Sequence, residues 1–166
     1  MLVVETGEGV EGANSLVSLD FLDAYHYTHG NTRWAENPDL QVGAAVSASS
    51  YFIRRYGPRL KGRPSANSGR MLWPRDYVPT PFGDYYPATE IPEPVREAVA
   101  EIALGMLETR LSGPATPPEK SVSIGPIRID YADTAAPAAS YNMRRVEDIL
   151  GILVWGTGNQ IRMRRV

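Results

Sequence analysis

The sequence predicts a mainly α protein: a small bundle of about four helices joined by long Pro/Gly-rich loops. A short β-hairpin or bulged strand near 121–131 and an extended C-terminal tail complete the expected architecture. Three observations carry this reading. Apolar residues recur at helical spacing in several blocks, and those blocks open and close on recognisable cap and proline signals. The 14 prolines and 15 glycines gather between the blocks. The chain has 166 residues, with 43% hydrophobic and 22% charged, which is enough for one domain with a real core.

Taken in order, Leu2-Val3-Val4 reads as a short strand followed by a glycine- and glutamate-rich turn. Ser18 is the N-cap of a helix running to about His29, with Asp20 and Asp23 near its positive end and Gly30 as its stop. Leu19, Leu22 and Tyr25 fall on one face. Asn37-Pro38 opens a second helix to about Tyr56, stopped by Gly57-Pro58. Its middle, Ala44 to Ser50, is built of small residues that let another helix approach closely. Residues 57–91 hold Pro58, Pro64, Pro74, Pro79, Pro81 and Pro87 and show no sustained period. Connections this long usually have a task. The aromatics Trp73, Tyr77, Phe82, Tyr85 and Tyr86 make it an arm that packs on something, a neighbouring subunit included.

The third helix has Pro92 and Pro94 in its first turn, carries Val95, Val99, Ile102 and Met106 at helical spacing, and ends at Gly113-Pro114. Alternation of Val122 and Ile124, then Ile127, Ile129 and Tyr131, around Gly125-Pro126 predicts the hairpin or bulged strand. The last helix spans about Asn142 to Trp155, with Val146, Ile149, Leu150, Leu153 and Val154 on one stripe. A helical domain over 1–156, with its loop or arm at 57–91, is therefore expected to precede a basic tail at 157–166.

The net charge of −2 conceals a segregation. Residues 1–53 carry seven acids against the single base Arg33; residues 54–75 carry Arg54, Arg55, Arg59, Lys61, Arg63, Arg70 and Arg75 and no acid. After Asp148 the charges are Arg162, Arg164 and Arg165. Faces of opposite sign are expected. No apolar run approaches the ~20 residues of a membrane span, and the acidic N-terminus does not read as a signal segment. The chain has no cysteine, which excludes disulfides and thiolate metal sites and fits synthesis in a reducing cytoplasm.

Motifs for chemistry fail on context. Gly7-x-Gly9-x-x-Gly12 has dinucleotide-fingerprint spacing, but Glu8 and Glu11 would place negative charge beside a pyrophosphate; it reads as a flexible turn. Asp23, His26 and His29 share a helical face, yet no further ligand completes a metal site, and the histidines read as partners of the helix-end carbonyls. Glu97 and Glu101 read as a solvated face. Gly57 to Arg63 lacks the Lys-Ser/Thr ending of a phosphate loop. No enzyme activity, cofactor or metal is expected. The basic segment stays open to three readings: a solvated charged face, a contact with an acidic protein surface, or a single-stranded nucleic-acid site. In the last, Tyr51, Phe52, Tyr56 and Trp73 would stack bases within segment 51–75.

Three groups of residues carry a family resemblance. The first is Val4-Glu5-Thr6-Gly7-x-Gly9, with Ala13-Asn14-Ser15-x-Val17-Ser18, Tyr25-His26, Gly30 and Asn31-Thr32-x-Trp34. The second is Ala48-x-x-Tyr51-x-x-x-x-Tyr56, then Leu60-Lys61-Gly62-Arg63 and Leu72-Trp73-Pro74-Arg75; the third is Ile91-Pro92-x-x-Val95. Over about residues 1–131 the chain resembles small phage proteins often labelled DnaT-like single-stranded-DNA-binding, which are similar to the head–tail adaptor (connector) proteins of long-tailed phages. The resemblance implies a virion protein made in the host cytoplasm, forming a ring of twelve copies beneath the portal and around the DNA channel. It would join the portal to a stopper or tail-completion protein, passing genomic DNA without sequence-specific binding.

The resemblance also implies portal docking through the C-terminal segment, here Trp155, Ile161, Arg162, Met163, Arg164, Arg165 and Val166. Lys61, Gly62, Arg63, Trp73, Pro74 and Arg75 match family positions. The resemblance assigns them to loop architecture and a subunit or DNA-channel surface, and Arg54, Arg55, Arg59 and Arg70 are expected with them on a subunit interface or facing the channel. The Tyr77–Tyr86 insertion and the tail after Gly156 depart from the family pattern. Segregated charge suits a head-to-tail ring. The alternation in Ile161-Arg162-Met163-Arg164 suits addition of a strand to another protein's sheet.

Overall fold

The computed structural model describes residues 1–112, 121–124, 127–130 and 138–156, with side chains described for 1–108 and 143–156. It is mainly helical. Helix α1 (Leu19–Thr28) starts where the sequence predicts, because the Ser18 hydroxyl accepts the Phe21 N–H at 3.1 Å. It ends as Gly30 takes φ +70°, a conformation that costs glycine nothing. A one-turn helix α2 (Thr32–Ala35), not expected from the sequence, places Trp34 in the core.

Helix α3 (Pro38–Tyr56) begins at the predicted proline. Asn37 occupies the cap position, but its side chain donates to Arg33 O at 3.0 Å instead of capping α3, since the unexpected α2 leaves that carbonyl beside it. The small stripe works as expected: Ala44, Ala45, Ala48 and Ser49 are buried, and α3 makes its main contact with α4 (Glu93–Ser112). In α4, Ala98, Val99, Ala100 and Ala103 are fully buried. Pro94 lies in the first turn of α4, whereas Pro92 stands just outside it and accepts the Val95 N–H at 2.9 Å. Val95, Val99 and Ile102 are buried, with Met106 at the core's edge.

Strands β1 (Arg63–Pro64) and β2 (Arg75–Asp76) form a two-residue antiparallel ladder inside the segment expected to be irregular. Strands β3 (Ser121–Ile124) and β4 (Ile127–Asp130) pair antiparallel as the predicted hairpin. Helix α5 (Ala138–Leu150) packs on α4 and starts and ends earlier than expected. Gly151, at φ +36°, begins a 3-10 turn through Leu153. Val146, Leu150, Leu153 and Val154 are buried all the same, so the apolar stripe outlasts the helix that suggested it.

Two further expectations change. Leu2-Val3-Val4 makes no strand; a lone parallel bridge joins Val4 to Ser15. The turn after it is built around a buried charge: the Glu5 carboxylate accepts N–H groups of Gly7 (2.9 Å), Gly9 (2.9 Å) and Val10 (3.0 Å). Gly7 approaches Thr89 so closely that an added Cβ would lie 2.0 Å from its carbonyl oxygen. Glycine spacing that mimics a dinucleotide site therefore serves an internal carboxylate and a close backbone crossing. Among the described residues no helix is long and apolar enough to cross a membrane.

Candidate interaction surfaces

The basic segment divides into buried and exposed members. Arg54 and Arg55 are exposed in the last turn of α3, and Arg54 lines a shallow cleft with Arg70, Ser50, Ile53 and Met71. Arg63 is exposed, and Arg59 and Lys61 are half-buried. Arg75 and Trp73 are not on a surface, contrary to their assignment as interface or channel residues; they hold loop architecture instead. Arg75 is 4% exposed, donating from Nε to Lys61 O (2.8 Å) and from Nη2 to Leu60 O (2.8 Å) and Gly62 O (3.3 Å). Burial pushes its pKa below the ordinary guanidinium value. Trp73 is fully buried, its indole donating to Glu90 O at 3.1 Å.

Three backbone carbonyls left over from a tight Leu60-Lys61-Gly62 turn explain why a cation goes inside: a planar fork satisfies several acceptors at once. Gly62 sits at φ +78°, where a Cβ would meet Asp76 O at 2.4 Å. The stacking platform loses its members in the same way. Phe52, Tyr56 and Trp73 are core residues, and half-buried Tyr51 bonds Met143 Sδ at 3.4 Å. Residues 57–91 pack largely on their own domain, with Leu60, Met71, Trp73, Val78 and Ile91 in its core; the expected docking on a neighbour is restricted to what remains outside.

The structure does join two groups that the sequence keeps far apart. Leu60 bridges Val154 antiparallel, Lys61 N donates to Leu153 O (2.8 Å) and Trp155 N to Arg59 O (2.7 Å). Arg59 returns the bond from Nε to Trp155 O at 3.1 Å, and its Nη2 reaches Gly156 O. Its Nη1 also lies 3.8 Å from Glu147. Lys61 Nζ stands 4.9 Å over the exposed Trp155 ring. The last described residues, Trp155 and Gly156, are thus held in a clamp made by the basic turn. Ile161, Arg162, Met163, Arg164, Arg165 and Val166 lie outside the described residues.

What projects from the 57–91 segment is a short arm. Val78 O accepts Tyr86 N (2.9 Å), Thr80 N donates to Asp84 O (2.7 Å) and Pro79 bridges Tyr85, closing a turn around Pro81-Phe82-Gly83. Tyr77 and Tyr85 stand edge to face at 5.7 Å and are exposed; Phe82 at the tip is 90% exposed. The expected arm is thus confined to these residues, whose Thr-Pro-Phe-Gly-Asp between tyrosines is a turn signature.

A second unassigned surface is an open groove of about 1500 Å³ between α1, α2 and the start of α3. Ala24, Tyr27, Ala35 and Pro38 line it from exposed positions, Trp34, His26 and Gln41 are its buried members, and Asp23 and Glu36 bring negative charge. The Trp34 indole donates to Asp23 at 2.7 Å, and Asn31 bonds His26 Nδ1 at 3.1 Å. Burial lowers the His26 pKa to about 4. His29 pairs with Tyr25 O at 2.8 Å, as expected of a histidine at a helix end. Among the described residues no group of three metal-ligating side chains gathers, and Asp23 is engaged by Trp34.

The carboxylate pair on α4 is not a solvated face. Glu101 is 3% exposed, accepting the Tyr25 hydroxyl at 2.7 Å and pairing with Arg145 Nε at 3.1 Å. This ties α1, α4 and α5 together. Burial, then the hydrogen bond to Glu101, drives the Tyr25 pKa upward; burial likewise raises that of Glu97, with Glu93 adding to it.

No curated protein and no solved structure matches the chain. One family model matches residues 1–166, and the chain belongs to that family, described as "Putative DnaT-like ssDNA binding protein".

Proposed function

We propose, taking that family membership as the premise, that the protein is a non-enzymatic assembly subunit of a tailed-phage neck. Twelve copies would form a ring between the portal and the stopper or tail-completion protein, surrounding the DNA channel. The observation that carries this reading is the inversion of the aromatics. Of those interleaved with the basic segment, Phe52, Tyr56 and Trp73 are inside the core and Tyr51 is half-buried, while Tyr77, Phe82 and Tyr85 stand outside on a projecting turn. An exposed aromatic cluster on a closed turn suits a protein partner. The clamp of Arg59 on Trp155 and Gly156 supports a docking role for residues 157–166, since it fixes the backbone from which that segment starts.

Native mass spectrometry and electron-microscope class averages, alone and with portal-bearing capsids, test the proposal. Rings are expected in at least one setting, and a chain lacking 157–166 should stay folded yet fail to attach to portals. A subunit that remains solitary in both settings removes the proposal. Normal attachment by the truncated chain removes the tail from it.

The family description favours a second reading, binding of single-stranded nucleic acid. Arg54, Arg55, Arg63 and Arg70 are exposed cations, and Lys61 lies against Trp155. With Phe52, Tyr56 and Trp73 buried, Trp155, Tyr77 and Tyr85 would have to do the stacking. This reading requires salt-sensitive binding to a labelled oligonucleotide, weakened by joint Arg59→Ala, Lys61→Ala and Arg63→Ala replacement. Undetectable binding at low salt disposes of it.

A further inference from the structure

One chain carries an exposed aromatic knob and an exposed apolar groove, and does not put the first into the second. Phe82 is 90% exposed at the tip of the 77–86 turn, flanked by Tyr77 and Tyr85. The groove between α1, α2 and α3 is bordered by Ala24, Tyr27, Ala35 and Pro38, with about 1500 Å³ of open space. That exceeds the roughly 300–1,000 Å³ of a small-molecule site and is broad enough for a turn of polypeptide. A surface pair of this kind, used in trans, is heterologous: each copy donates a knob to one neighbour and accepts one from the other, which generates a ring where the rotation between copies closes.

Charge fits the same pairing. Asp23 and Glu36 bring negative charge to the groove, with Asp39 exposed in the next turn. The knob springs from β2, beside Gly62, so Lys61 and Arg63 flank its base. The like charges in this arrangement are Asp76 at the base, which accepts the Ser65 hydroxyl, and Asp84 at the tip; Arg33, exposed between groove residues Thr32 and Trp34, lies 3.7 Å from Glu108 of its own copy and would have to be shared with Asp84. The groove's buried members are held firmly, because Trp34 is tied to Asp23, and Gln41 Nε2 donates to Trp34 O at 3.1 Å. A preformed groove costs little to occupy.

We infer that the Tyr77–Phe82–Tyr85 turn of one copy docks in the α1–α2–α3 groove of the next copy as the subunit-to-subunit contact of the assembly. This rests on the ring reading above and specifies its interface. The lack of cysteine permits a clean test. A chain carrying Phe82→Cys and Ala35→Cys, both exposed positions, is treated with a short bismaleimide, alone and on portal-bearing capsids. A ladder of covalent multimers is expected, while an equimolar mixture of the two single variants should stop at the dimer.

Phe82→Ala, with unchanged thermal unfolding, should raise the concentration for half-assembly on the order of tenfold or more, as loss of a central aromatic anchor does. Rings that form without the ladder, or that tolerate Phe82→Ala, overturn this interface and leave the ring reading standing. Absence of rings in every setting overturns both.

Discussion

Residues 70–76 and 77–86 are adjacent and both set aromatic rings beside proline, yet they have opposite fates. In the first, Met71, Trp73, Pro74 and Arg75 are buried; in the second, Tyr77, Pro81, Phe82 and Tyr85 are exposed. The difference lies in what each can bond to. Trp73 and Arg75 reach carbonyls of distant backbone, at Glu90 and at Leu60 to Gly62. The second stretch closes through its own backbone, Thr80 to Asp84 and Val78 to Tyr86, and sends Val78 into the core while its rings stay outside or at the edge. Aromatic content alone does not say which side of the surface a ring occupies; the destination of the neighbouring polar groups does.

Substitutions can break that contrast or sharpen it. Trp73→Ala should cost about 3–5 kcal/mol by urea unfolding, because it empties a fully packed indole site; a loss under 1 kcal/mol would erase the distinction. Arg75→Met should cost about 2–3 kcal/mol, as three carbonyls lose a charged donor. It should also speed amide exchange at Lys61 and Trp155, whose N–H groups close the clamp onto the C-terminal segment.

Titration of His26 gives the next effect, on the other side of the molecule. Its folded pKa of about 4 lies below the ordinary value of 6.5, so the unfolded chain binds the extra proton first. Its contribution is complete above pH 6.5 and is lost as pH falls toward 4, with a slope of up to about 1.4 kcal/mol per pH unit. Unfolding midpoints of the native chain and His26→Gln, compared across that window, should converge in acid. Phe82→Ala should change stability by less than about 0.5 kcal/mol, since the ring touches little of its own domain. A large loss there would mean the arm belongs to the core after all.

Much of the fold was legible because its signals are local. Ser18, Pro38, Pro94 and the glycine stops act within one turn of chain, and the valine and leucine stripes of α4 and α5 report their buried faces directly. The candidate surfaces were legible in part. Arg54, Arg55, Arg63 and Arg70 are exposed, but Arg75 and Trp73 are structural. Glu101 resembled a solvated helix position because its partner Tyr25 lies 76 residues away. The arm was expected to pack on a partner, but not which of its rings stay outside; the groove was not recognised, since α2, which contributes Thr32, Trp34 and Ala35 to it, is a single turn without periodicity.

By itself the sequence determined the helical class, most helix starts, the hairpin and the segregation of charge, all of which follow from propensity, caps and counting. Only the tertiary structure decided which cations and rings face outward. That choice depends on whether a buried carbonyl or carboxylate elsewhere in the chain needs a donor. Such needs arise after distant segments have met, as Arg75 meets the Leu60–Gly62 turn and Arg145 meets Glu101.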